Sequence, residues 1–325
     1  MRIQTVLGEI DPVTLGPTLA HEHVFNVTAE IAREFPAFAW PPAGRAAAVD
    51  LAVSRLEALR DRGIGGILDC SAMGHGRDVP ALVEANRRVP EVSIIVATGL
   101  YTRDQVPPFV RLRPPRGGRD ILVDMFVHDI MVGVQDTDVR AGIIKVVTDK
   151  EGVTPNVDRI LRASARAHRE TGAPIVTHSD PWLQNGLAQQ DVFEEEGVDL
   201  SRVLIGHVGD SGDIDFLRRV LDRGSFIGSD RFGYYVAGQP SMEERIETVH
   251  RLCELGYADQ ILLAHDAAMY SDWWPTDATL PPEWNHTHLI DDVVPAMLAR
   301  GISRADIDRM LVDNPRRLLS AGSGY

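Results

Sequence analysis

Short runs of β-branched and aliphatic residues recur along the chain, each followed by a stretch with helical spacing of apolar positions. The runs fall at 18–24, 66–70, 92–101, 142–148, 174–178, 203–208, 225–230 and 261–266. Several are apolar on both faces, the pattern of parallel strands covered on each side. Between them lie amphipathic stretches such as 46–62, 156–171, 214–223 and 242–255. Two of these close on a basic residue and a glycine, Arg62-Gly63 and Arg223-Gly224, as helix ends do. Eight strand–helix units fill the length and no Gly/Ser linker divides it. The pattern predicts an α/β fold, a single (β/α)8 TIM barrel over residues 1–325, with an extra C-terminal helix at 304–319. No G-x-G-x-x-G follows the first strand, which sets aside an open doubly wound sheet.

Two connections are long. One, 102–120, is rich in proline and arginine; the other, 267–291, carries Trp273, Trp274 and Trp284. Long loops after barrel strands shape an active-site mouth, and these two are expected there.

Charge narrows the partners. The 33 basic and 47 acidic residues leave a net charge of −14, which disfavours nucleic acid and anionic membrane surfaces. No uninterrupted apolar run is long enough to span a bilayer, and the first residues lack a basic-then-apolar leader. The two cysteines, Cys70 and Cys253, suggest a reduced compartment without a disulfide framework. A cytoplasmic protein acting on a small molecule is the expectation.

The chemistry collects at strand ends. In the first strand His21 and His23 point one way and Glu22 the other. The fourth strand is apolar except for Lys145, whose buried ammonium must find a partner or lose its charge. The fifth ends at His178, the sixth at His207 and the eighth at Asp266. Barrel enzymes work at this end, and six such residues on five strands do not read as packing. As a double metal site the set makes sense. A carbamate on Lys145 would be an anionic bridge between two cations, and burial supplies the neutral amine that reacts. Such ligands suit zinc, cobalt, iron or manganese, and a metal lowers the pKa of bound water from about 15.7 to about 7. Metal-assisted hydrolysis is the reading. A second H-x-H, His286 and His288, reads as a surface feature of a loop. His75, His128, His168, His250 and His265 read as structural or surface.

The ordered set H-x-H, lysine, two strand-end histidines and aspartate resembles the amidohydrolase superfamily. More closely it is similar to the phosphotriesterase family, and within it to the phosphotriesterase-like lactonases. The likeness runs from Gly16-Pro17-Thr18-Leu19-Ala20-His21-Glu22-His23 to Asp313-Asn314-Pro315-Arg316. It implies one divalent ion on His21, His23 and Asp266, a second on His178 and His207, and a carboxylated Lys145 between them. Thr98-Gly99-Leu100-Tyr101, Asp230-Arg231-Phe232-Gly233 and Asp272-Trp273 resemble lactonase segments. They imply Tyr101 over the metals, Arg231 organising a loop, Trp273 lining the substrate pocket and Asp210 as an acid that takes protons away. Cys70-Ser71-Ala72, Val208 and Ala267-Ala268 depart from the family's usual residues. The implied activity is opening of lactones, N-acyl homoserine lactones first (quorum quenching), with weak paraoxonase activity and a homodimeric state. A true organophosphate phosphotriesterase or another carboxylic ester hydrolase is the alternative; a ligand-binding barrel without turnover would lack a metal ligand.

Overall fold

The computed structural model describes residues 2–115, 117–275, 278–320, 322 and 324–325. Nine parallel strands carry the fold: β1 (Thr18–Asn26), β2 (Gly66–Asp69), β3 (Ser93–Gly99), β4 (Ile143–Thr148), β5 (Ile175–Ser179), β6 (Val203–Ile205), β7 (Phe226–Ser229), β8 (Ile261–Leu263) and β9 (Ala268–Ser271). Their order in the sheet is β8-β7-β6-β5-β4-β3-β2-β1-β9. The two ends of that order are neighbours in sequence, separated by residues 264–267. The sheet therefore curls until the eighth strand's continuation pairs with the first, Ala268 opposite His23. Backbone bonds seal the seam, Asp266 N–H to His21 O at 3.0 Å and His23 N–H to Ala267 O at 2.9 Å. The (β/α)8 TIM barrel read from the sequence is the fold, with helices such as Arg45–Arg60, Pro155–Thr171 and Met242–Glu254 around it.

Strand alternation sorts the side chains. Ile144 and Val146 of β4 join the large apolar cluster beneath the helices, while Ile143 joins a second cluster inside the barrel, with Ala97, Val176, Leu204 and Leu262. Lys145 shares the parity of Ile143 and so faces the barrel axis. The inner cluster is closed at the bottom by Ile3 and Leu15 from the N-terminal segment and Leu318 and Leu319 from the C-terminal run. That run is helical from Arg304 to Leu319, as expected, with a wider π turn over Arg309–Asp313. Asn314 pins it to the barrel floor by donating to the carbonyls of Ala258 and Ile261, at 2.9 and 2.7 Å.

The strands differ from expectation where they meet the chemistry. β6 stops at Ile205 and β8 at Leu263, before the residues of interest. His207 (φ +66°) and Asp266 (φ +53°) instead adopt left-handed backbone. Non-glycine residues enter that region at a cost, and it concentrates at functional sites. β1 carries an irregularity in its pairing with β2 between Leu19 and Glu22. A bulge there re-aims side chains; it puts Ala20 in the inner cluster and still lets His21 face the centre.

Candidate active site and metal centre

At the C-terminal mouth the six residues singled out by sequence come together. Nε2 of His23 and of His21 lie 3.1 and 3.6 Å from Oδ1 of Asp266, and Nε2 of His207 lies 3.7 Å from its Oδ2. Nζ of Lys145 is 2.6 Å from His21 Nε2. The His178 ring stands edge-on to that of His207, centroids 4.5 Å apart. Donor atoms of His21, His23 and Asp266 fall within 4.8 Å of one another.

What turns these rings inward lies behind them. Asp230, fully buried at the end of β7, accepts from Nδ1 of His21 on one oxygen and Nδ1 of His207 on the other, both at 2.9 Å. Nδ1 of His23 pairs with Ser71 Oγ at 2.9 Å. With Nδ1 occupied, the Nε2 lone pairs face the centre, the arrangement that orients imidazoles around a metal. His21, His207 and Asp230 also cluster closely enough to suggest an ion, but their 2.9 Å contacts are hydrogen bonds, so the open side is the Nε2 side. His207 Nε2 is buried without a hydrogen-bond partner among the described residues, a position that a cation would satisfy. The donor set of His21, His23 and Asp266 fits a divalent ion.

Electrostatics agree. Burial draws Lys145 below its ordinary value, favouring its uncharged amine, and takes His178 and His207 well below theirs, leaving neutral imidazoles. Burial pushes Asp266 up, but His207, His21 and His23 outweigh it and hold the carboxyl well below the usual range. Asp230 is lowered likewise, chiefly by His21 against the pull of burial. His21 goes the other way: burial pulls it down, but the acidic groups facing it, Asp230 and Asp266 among them, push it up to about 10, so two ionised carboxylates already gather positive charge at this centre.

Asp266 is held by a residue that points away from it. Glu22 Oε1 accepts from the His265 backbone N–H at 2.9 Å and lies 2.6 Å from His265 Nδ1; Oε2 accepts from Ala267 N–H at 3.2 Å. Glu22 thus grips both neighbours of Asp266 and fixes its left-handed turn. Sequence alternation placed Glu22 on the far side but gave it no task; nor did it single out Asp230 as an anchor, although Phe226, Gly228 and Asp230 share one strand parity.

A pocket of about 240 Å³ opens above the cluster, walled by Tyr101, Trp273, Trp284, Arg103, Arg231 and His75. Arg231 Nε lies 3.1 Å from Asp210 Oδ2, and Asp210 also meets the buried guanidinium of Arg245. Enclosed between two guanidinium groups, Asp210 is the counterion that fixes Arg231, and Arg245 was invisible to the motif reading. Three readings of the sequence need correction. His286 and His288 are buried, not surface residues. His286 Nε2 bonds Ala267 O at 3.0 Å, and His288 bridges Asp292 and Tyr235 at 2.8 and 3.0 Å. His75, read as structural or surface, lines the pocket. Three of the others are as read: His265 is spent on Glu22, His168 on Ala173 O at 2.8 Å, and His128 is exposed.

The family described as "Phosphotriesterase family" matches residues 1–319. A "Phosphotriesterase homology protein" of Mycobacterium tuberculosis is 44% identical, covering 99% of both chains. An "Aryldialkylphosphatase" of Saccharolobus solfataricus is 33% identical over 98% of this chain and 100% of its own. The solved phosphotriesterase from Mycobacterium tuberculosis superposes with a TM-score of 0.95 at 43% identity, covering 100% of each chain.

Proposed function

The chain belongs to the phosphotriesterase family, and from that premise we propose that it opens lactones, N-acyl homoserine lactones first, with slow organophosphate hydrolysis as a side activity. The observation that carries the reading is the wall over the ligand cluster, where Tyr101 and Trp273 lie with ring centroids 5.8 Å apart and Tyr101 faces His178 at 5.9 Å.

Two divalent ions, zinc or else cobalt, iron or manganese, would be held by His21, His23 and Asp266 and by His178 and His207, with carboxylated Lys145 between; bound, they supply hydroxide at neutral pH and polarise a carbonyl. Burial favours the uncharged amine of Lys145, which adds carbon dioxide and loses one proton to become the carbamate. Asp266, ionised and facing three imidazoles, accepts the proton of the attacking water and returns it to the ring oxygen that leaves. Tyr101 donates to the carbonyl or ring oxygen; burial raises its phenol above the ordinary value, so it keeps its proton. Arg231, locked by Asp210, keeps the following loop in place, and Trp273 lines the path of an acyl chain. Residues 1–325 form one hydrolase unit on this reading, cytoplasmic and homodimeric, and the exposed Phe35 and Phe38 offer apolar surface for pairing. Among the described residues no helix is long and apolar enough to cross a membrane.

The second reading, a true organophosphate hydrolase, is favoured by the name of the 33% identical relative. Side-by-side kcat/KM values for an N-acyl homoserine lactone and paraoxon, on protein produced with added divalent metal, separate the two. A lactone value higher by orders of magnitude supports the lactonase; the reverse assigns an organophosphate hydrolase.

A further inference from the structure

His75 sits on a turn that cannot swing. Its neighbours Gly74 (φ +86°) and Gly76 (φ +88°) both hold left-handed backbone. A Cβ on Gly74 would strike the Tyr101 carbonyl oxygen, and one on Gly76 would come within 2.5 Å of Val27 N. The turn is stitched to the ends of β1 and β3, by Val27 N–H to Gly76 O at 2.7 Å and Tyr101 N–H to Met73 O at 2.8 Å. Backbone this constrained fixes where the side chain goes, the condition for a precise contact with a ligand.

The imidazole lies flat on Tyr101, centroids 4.0 Å apart and planes 8° from parallel, with Trp273 at 4.5 Å and the His23 ring edge-on at 4.2 Å. It is 6% exposed, yet Nδ1 is enclosed with no hydrogen-bond partner among the described residues. Burying an unpaired polar atom forfeits its hydration. A phenylalanine would stack on Tyr101 equally well without that penalty, so packing does not account for a histidine here.

We infer that His75 is a specificity-determining residue, whose imidazole hydrogen-bonds a polar group, such as an amide, carried next to the reacting carbonyl of the substrate. The inference rests on the lactone reading above and names what that site recognises beyond the ring. A neutral imidazole has one nitrogen that accepts and one that donates, so it can take an amide's N–H or give to its C=O. A site built to pair such a group discriminates against an analogue that lacks it, because the protein's own polar atom is then left unmatched.

The test compares His75→Phe and His75→Asn with the wild type, metal-loaded, on an N-acyl homoserine lactone and on a γ-lactone with an alkyl tail of equal length but no amide. Metal per chain and thermal midpoint are measured for each protein. His75→Phe keeps the stack and removes the polar atoms; we expect a loss of kcat/KM about tenfold greater on the amide substrate than on the plain lactone, mostly in KM. His75→Asn, which restores a hydrogen-bonding group, should recover part of the loss. Equal losses on both substrates, or none on either, would overturn the inference while leaving the lactonase standing. A wild type that opens neither lactone would overturn the functional reading and this inference with it.

Discussion

The chain contains the same H-x-H spacing twice, and the two pairs have opposite fates. His21 and His23 lie on β1 and turn their Nε2 atoms to a common centre with Asp266. His286 and His288 are just as buried, but they lie where a long loop enters a helical segment; Nε2 of His286 is spent on Ala267 O, and both nitrogens of His288 on Asp292 and Tyr235. Spacing alone therefore says little. A strand period of two puts both imidazoles on one face, and the carboxylate and hydroxyl behind them decide which nitrogen is free. The second pair has no such backing toward a shared point, so it braces the loop that carries the pocket wall.

The contrast predicts its own largest test. His23→Ala should lower turnover on the order of a thousandfold or more, because the nucleophile depends on a bound metal, and should lower metal per chain by elemental analysis. His288→Ala should keep its metal and most of its turnover. If both variants lost metal alike, the distinction between the two pairs would be gone. A smaller effect is expected from Asp230→Asn, which leaves every metal ligand in place. An asparagine cannot accept from both Nδ1 atoms with two oxygens, so one ring, His21 or His207, loses its orientation. Metal affinity should fall about 10–100-fold, the usual cost of losing such a partner, read by competition with a chelator; unchanged affinity would show that the rings are positioned by packing alone.

Much of this was legible without coordinates. Period-two alternation around Lys145 and runs apolar on both faces suffice for the barrel, and the six polar strand ends stand out because each breaks an apolar pattern. Three things were not. The left-handed turns at His207 and Asp266 leave no mark in residue type, since only glycine announces a positive φ. Asp230, Glu22 and Arg245 act through partners 23 to 243 residues away in sequence or on another helix, a distance that no local motif spans. His75 sits beside glycines that look like an ordinary loop, and only the bonds from that turn to the chain just past β1 and β3 show that the turn is held and the ring in the pocket.

The smallest effect belongs to the second pair, and it is one of stability. His288 bonds Asp292, whose carboxylate is 61% exposed, and Tyr235, which is partly buried. Removing the imidazole lets water take over Asp292 at little cost. Tyr235 is partly buried and less easily rehydrated, and its lost hydrogen bond together with the small cavity left behind should destabilise the fold by about 1–2 kcal/mol. In a chain of this size that amounts to a fall in thermal midpoint of roughly 2–6 °C, readable by scanning calorimetry on the metal-loaded protein. His288→Gln, which can still reach Tyr235, should lose less than His288→Ala. The order of these two variants matters more than either value: if both fall equally, His288 holds the loop by its volume. If glutamine is spared, it holds by the hydrogen bond, and His288 owes its place in the second pair to that bond and not to chemistry.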